Sequence, residues 1–268
     1  MKATSGRFRL LASISLCLAL PAVAATRKHH SSNRSRSEFK LVVSPDHVEK
    51  ATSVLKLAEK NPVAVAVAFF DTRDSTLAAK NVILRVRREA GTPGQSTVKI
   101  RADSAAEPSD DLELSMPAEF DWMSPDAPEF SRSLNHTLPP NQLDAVVSRT
   151  AQINTLFNSR QQHLLTSTCP EFSWEKLLVF GPVQAEVWDK QSKLKGFPKP
   201  ISVERWHLER DGRKSEILEV SVKVSTSSEA EAKQLAAAFY QAAEDAGFGP
   251  AQGLSKTQIV MDFFRPAP

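Results

Sequence analysis

Apolar and polar positions alternate with a period of two over several short stretches of this chain, which predicts strands at 38–43, 81–89 and 95–102, and the Val- and Phe-rich stretch 62–70 adds another between the first two. Asp71-Thr72 ends the second in a turn, and Gly91-Thr92-Pro93-Gly94 reverses the chain between the third and fourth. As local neighbours these strands are expected to pair antiparallel. Further strands are expected near 176–188 and 201–209, and Asp211-Gly212, a strong hairpin signal, joins the latter to 215–224. Weaker signals fall at 112–116 and 258–264, and the expected sheet has eight strands. Apolar spacing of three and four predicts helices instead at 45 to about 60, behind Ser44 and Pro45, and at 141 to about 165. Ser227 and Ser228 followed by Glu231 form a capping-box start for an Ala-rich helix that ends near Gly247. The acidic stretch 103–111 reads as a loop, and the proline-rich stretch 117–140 as an excursion outside the core.

The first residues change the picture of where the protein works. Lys2, Arg7 and Arg9 precede an apolar run over 10–20, then Pro21 and Ala22-Val23-Ala24, the three parts of a cleavable secretory signal. The run is shorter than the ~17 residues a spanning helix needs. An exported protein, periplasmic or secreted and without a membrane anchor after processing, is expected. Residues 25–37, Ser-rich and basic with the His29-His30 pair, have no apolar period and read as a disordered lead. Residues 38–268 are then one domain. The net charge of +3 disappears with the bases of the signal, so no nucleic-acid partner is expected. Cys169 is the one cysteine outside 1–24, which excludes an intrachain disulfide in the mature chain. There is no Gly-x-Ser-x-Gly elbow, no P-loop and no Gly-x-Gly-x-x-Gly. Nothing in the sequence sets the oligomeric state.

Sorted by face, the strands are regular. Glu38 and Lys40 share one face; so do Arg85 and Arg87, Lys99 and Arg101, and Glu219, Ser221 and Lys223. Phe39, Leu41, Leu84, Val86, Val98, Ile100, Leu218, Val220 and Val222 fall on the opposite faces. Two arrangements satisfy this pattern. In one, an ordinary half-buried sheet puts its charges in water. In the other, the sheet closes into a barrel whose apolar face is covered by helices while its charges line a polar lumen.

Glu38-Phe39-Lys40, Phe69-Phe70-Asp71-Thr72, Leu84-Arg85-Val86-Arg87 and Val98-Lys99, in this order and spacing, resemble the CYTH or triphosphate tunnel metalloenzyme superfamily, which includes class IV adenylate cyclases, thiamine triphosphatases and inorganic triphosphatases. Glu204-Arg205-Trp206, Asp211-Gly212 and Leu218-Glu219-Val220-Ser221 are similar to its late acidic strands. The resemblance covers roughly 38–116 and 176–224. It implies an α+β fold with an antiparallel, eight-stranded, barrel-like tunnel and helices packed outside. It further implies that Lys40, Arg85, Arg87, Lys99 and Arg101 bind the phosphates of a small polyanion, and that Glu38, Glu113, Glu204 and Glu219 sit near Mg²⁺ or Mn²⁺. The chain departs from the family pattern where Arg36 and Ser221 stand in place of glutamates, and where 183–187 offers no arginine. The function implied is binding of a triphosphate or polyphosphate, with metal-dependent hydrolysis as its extension. The alternative is an exported, non-catalytic protein that uses the tunnel for another ligand or a protein partner.

Overall fold

Arg36, Glu38 and Lys40 alternate with Ser37, Phe39 and Leu41, and this two-faced stretch is a strand from Ser35 onward, earlier than the expected start at 38. A computed structural model describes residues 35–102, 116–126, 128–251 and 255–266. Nine strands form a closed barrel: β1 (Ser35–Val42), β2 (Val63–Thr72), β3 (Val82–Glu89), β4 (Gly94–Ala102), β5 (Ala118–Trp122), β6 (Pro128–Leu138), β7 (Leu177–Lys193), β8 (Pro200–Arg210) and β9 (Arg213–Thr226). Their order around the barrel is β1-β5-β6-β4-β3-β2-β7-β8-β9. All neighbours are antiparallel except β1 and β5, which run parallel with Glu38 opposite Asp121. The described helices are α1 (Val48–Val54), α2 (Gln142–Val147), α3 (Ser159–Thr168), α4 (Glu229–Asp245) and α5 (Lys256–Phe264).

Three expectations change here. The proline-rich stretch is not an excursion, because it supplies β5 and β6 and these complete the wall between β1 and β4. Its prolines lie at strand ends and turns, where a missing N–H costs no ladder bond. The helix expected over 141–165 is two helices, with Arg149 in the left-handed region and a new start at Asn158. There the Asn158 side chain accepts from the Gln161 backbone and the Gln161 side chain accepts from that of Asn158, a reciprocal cap. Residues 258–264, expected as a strand, belong to a helix capped by Ser255, whose Oγ accepts from the Gln258 N–H. The expected strand at 112–116, apart from Met116, lies outside the described residues, as do Glu113, the signal and 25–34 of the lead.

The apolar faces turn outward and are covered by helices. Phe39 and Leu41 of β1, with Val220 and Val222 of β9, pack against Ala236, Phe239 and Ala243 of α4. On another part of the wall, Leu84, Val86 and Val98 pack against Leu143 and Val146 of α2 and Leu164 and Leu165 of α3. Each such large side chain contributes about 1.5–3 kcal/mol of burial. A third cluster lies on the inward face: Val42, Val67, Phe69, Trp206 and Leu208 meet Val260 and Met261 of α5. It fills one end of the barrel, so α5 acts as a plug and the charged interior is left beyond it.

Asp71, in the most distinctive sequence block, is structural. Its buried carboxylate accepts from the backbone N–H groups of Thr72 (2.7 Å), Leu77 (2.9 Å) and Ala78 (3.0 Å), closing the turn after β2. Asp71→Asn turns an acceptor into a donor facing these N–H groups. We expect it to lower stability by about 2 kcal/mol in urea unfolding, without changing ligand affinity. A loss under 0.5 kcal/mol, by the same unfolding curve, contradicts that role.

Candidate functional site

The charged faces identified in the sequence converge on a lumen of 670 Å³, within the range of small-molecule sites. Strand alternation delivers them. β1 contributes Arg36, Glu38 and Lys40; β3, Arg85 and Arg87; β4, Thr97, Lys99 and Arg101; β8 and β9, Glu204, Glu219, Ser221 and Lys223; and α5, Lys256. Every expected site residue that the structure describes therefore lines this one space. Glu113 is the exception, lying outside the described residues. The carboxylates do not gather into one set, however, but divide between two ion-pair clusters.

The first cluster is centred on Asp121, which is fully buried. Lys40 Nζ donates to its Oδ1 (2.7 Å), Lys99 Nζ to its Oδ2, and Ser131 Oγ to Oδ2 (3.2 Å). Lys40 also pairs with Glu38 (2.8 Å), and Lys223 bridges Glu38 (3.5 Å) and Glu119 (3.0 Å). Burial alone would lower the Lys40 ammonium, but Glu38 and Asp121 beside it carry it above the ordinary lysine value. Asp121 is held well below the carboxylate range, because Lys40 and Lys99 outweigh its burial. Lys99 shifts the other way, down to about 8, through desolvation and then the charge of Lys40. The two directions agree physically: one carboxylate satisfies one ammonium, and the surplus positive charge falls on Lys99.

Glu38, Glu119 and Asp121 each bring an oxygen within 4.8 Å of the others, a spacing at which carboxylates hold a metal ion. The ammonium groups of Lys40, Lys99 and Lys223 already bind these oxygens, so a divalent ion fits only by displacing them.

The second cluster joins Glu204 to Arg87 (2.8 Å) and to Lys256, whose Nζ also lies 2.6 Å from Glu219 Oε1. Burial would raise Glu204, but Lys256 and Arg87 hold it well below the ordinary range, while burial and the charge of Glu204 push Glu219 up. Between the clusters lies Arg85. It makes no ion pair among the described residues, and its Nε is buried without a hydrogen-bond partner. Desolvation and the neighbouring Arg87 lower its affinity for its proton, though a guanidinium stays charged at neutral pH. Arg101 lines the lumen beside Glu129 (3.3 Å), also with a buried, unpartnered Nε.

The fold is shared with solved structures. The adenylyl cyclase candidate HpAC1 from Hippeastrum, described as showing a dominant triphosphatase activity, matches with a TM-score of 0.51 at 16% identity, covering 84% of this chain and 94% of that one. An adenylate cyclase candidate from Bacillus halodurans matches with a TM-score of 0.53 at 14% identity, covering 84% and 98%. The chain has a CYTH triphosphate tunnel fold. No family model and no curated protein matches the sequence, so at these identities the likeness shows the fold alone. Three tunnel residues escaped sequence reading: Glu119, Asp121 and Lys256. The alternation of Glu119 and Asp121 with Phe120 and Trp122 was present, but set among prolines. For Lys256 there was no signal, since its place depends on a helix entering the barrel.

Proposed function

We propose that the tunnel binds a triphosphate-like or polyphosphate anion. The observation that carries this reading is Arg85, a charged guanidinium facing the lumen without a carboxylate and with a buried donor unsatisfied. A buried donor of this kind costs free energy until an acceptor arrives, and phosphate oxygens are suited to the fork of a guanidinium. Lys40, Arg87, Lys99 and Arg101 surround the same space and supply the remaining contacts. The solved tunnel described as having triphosphatase activity supports the ligand class.

Export is part of the proposal, and it rests on residues 1–24. Outside the cytoplasm, inorganic polyphosphate or another organic polyanion suits the tunnel better than a nucleoside triphosphate. Amino-terminal sequencing of the protein recovered from cells, starting at Ala25, supports cleavage. Among the described residues no helix is long and apolar enough to cross a membrane.

The test is the melting temperature of the protein with tripolyphosphate, beside an Arg85→Ala variant. A ligand that binds only the folded state raises stability by about 2.7 kcal/mol at a hundredfold excess over Kd. We expect a rise for the wild type and its loss in the variant. Phosphate release in the same samples that depends on added Mg²⁺ or Mn²⁺ makes the protein a metal-dependent hydrolase; binding without release makes it a polyanion-binding protein. No rise at all returns the tunnel to the alternative reading, a non-catalytic protein for another ligand or a protein partner.

A further inference from the structure

The two carboxylates of the second cluster, Glu204 and Glu219, share one ammonium, and the Lys256 side chain fills the space between them. Lys256 is the first residue of α5, behind the Ser255 cap. A lysine there meets the positive end of the helix dipole, which disfavours an ammonium. It is retained by its surroundings: Glu204, Glu219 at 2.6 Å, and the Trp206 ring with its centroid 4.4 Å from Nζ. Two anions and a π face enclose the ammonium, and the Lys256 and Glu204 side chains are each 13% exposed, that of Glu219 7%. The rest of α5 fixes this position, because Val260 and Met261 are buried in the plug. The lysine thus arrives with the helix that closes the barrel.

Arg36 and Ser221 line the tunnel on the faces of Glu38 and Glu219, so neither position adds a carboxylate beside the lysines. An ammonium donates hydrogen bonds to two carboxylates and carries one charge, enough to neutralise part of the pair. It leaves no oxygen face through which a divalent ion could bind both. The first cluster repeats the substitution with Lys40, Lys99 and Lys223.

We propose that Lys256 is a built-in cation standing in for a divalent metal between Glu204 and Glu219, and that the tunnel takes its anion without Mg²⁺ or Mn²⁺. The proposal concerns how the polyanion site is charged and rests on that reading for its second clause only. Lys256 is a positioning residue here: it holds two carboxylates that would otherwise repel both each other and the anion.

Electron paramagnetic resonance of Mn²⁺ titrated with the protein, with no anion present, tests the first clause. We expect the wild type to leave Mn²⁺ free, Lys256→Met to bind it stoichiometrically, and Lys256→Met combined with Glu219→Gln to lose it again. Methionine keeps an apolar stem against Trp206, and a melting curve verifies that the variant is folded. Stoichiometric Mn²⁺ on the wild type, or none on folded Lys256→Met, overturns the proposal. Should the variant not fold, the wild-type titration still decides. For the second clause, the melting shift given by tripolyphosphate is expected to persist in EDTA, and a shift that needs Mn²⁺ overturns it. A wild type that ignores tripolyphosphate in every buffer sinks the polyanion reading, while the Mn²⁺ titration still decides whether Lys256 replaces a metal.

Discussion

Asp121→Asn is expected to destabilise the protein by about 3–5 kcal/mol, the cost of removing one partner from a buried charge network. The carboxylate is fully buried and accepts from Lys40, Lys99 and Ser131. An amide fills the same volume but brings no charge and replaces one acceptor with a donor. Lys40 retains Glu38 at 2.8 Å, whereas Lys99 loses the one carboxylate it pairs with among the described residues, so most of the loss is expected at Lys99. Urea unfolding gives the number. The same variant also reports on function: with more positive charge uncompensated in the tunnel, tripolyphosphate should raise its melting temperature further than that of the wild type. A stability loss below 1 kcal/mol would falsify the view of Asp121 as the hub of this cluster.

The second large effect is on binding as a function of pH. Desolvation and Lys40 lower the Lys99 ammonium to about 8 in the folded protein, against an ordinary lysine value of 10.5. The sign follows directly. Below about 8 Lys99 is charged and offers a donor to the anion; above it the free protein loses this charge, and binding must restore the proton. Affinity for tripolyphosphate is therefore expected to be level on the acid side, to fall about fivefold between pH 8 and 9, and to approach about tenfold per pH unit above that. Stability runs the other way for this group: the folded state releases the proton first, so the contribution of Lys99 to stability improves as pH rises from about 8 towards 10.5. Calorimetric titration of the wild type and of Lys99→Met separates the effect from the ligand's own protonation. The difference between their pH profiles should show the fall, and parallel profiles would rule Lys99 out as its cause.

The two predictions depend on different links of the argument. The first needs only the packing of a buried ion cluster and stands whether or not the tunnel binds phosphate. The second needs an anion near Lys99. A result in which Asp121→Asn loses stability while affinity ignores pH would keep the structural role of the cluster and move the ligand away from β4, towards Arg85.

Much of this protein was legible in the chain. Alternation over 38–43, 81–89, 95–102 and 215–224 assigned each residue to a face, because the pleat of a strand leaves no other choice. That is why Glu38, Lys40, Arg85, Arg87, Lys99 and Glu219 could be sorted by face, whereas Glu204 entered only through the resemblance to the CYTH superfamily. What alternation left open was whether the charged face met water or a lumen, since both satisfy the same pattern. Closure decided it, and closure depends on β5 and β6, whose prolines disguised them as loop. The parallel pairing of β1 with β5 was equally invisible, because register and direction between distant segments come from packing. Tyr240 of α4 shows how: its hydroxyl lies 2.8 Å from the Lys40 carbonyl and 2.9 Å from that of Trp122, tying the two strands to one helix.

By itself, then, the sequence determined which residues share a face and where the chain turns, both of them local properties. The tertiary structure alone decided that 256–264 is a helical plug and not an edge strand. Its apolar residues serve either period over so short a run, and the barrel end they fill exists only once the wall has closed. From that one choice follows the position of Lys256 between Glu204 and Glu219, a meeting of side chains 37 and 52 residues apart that no spacing along the chain encodes.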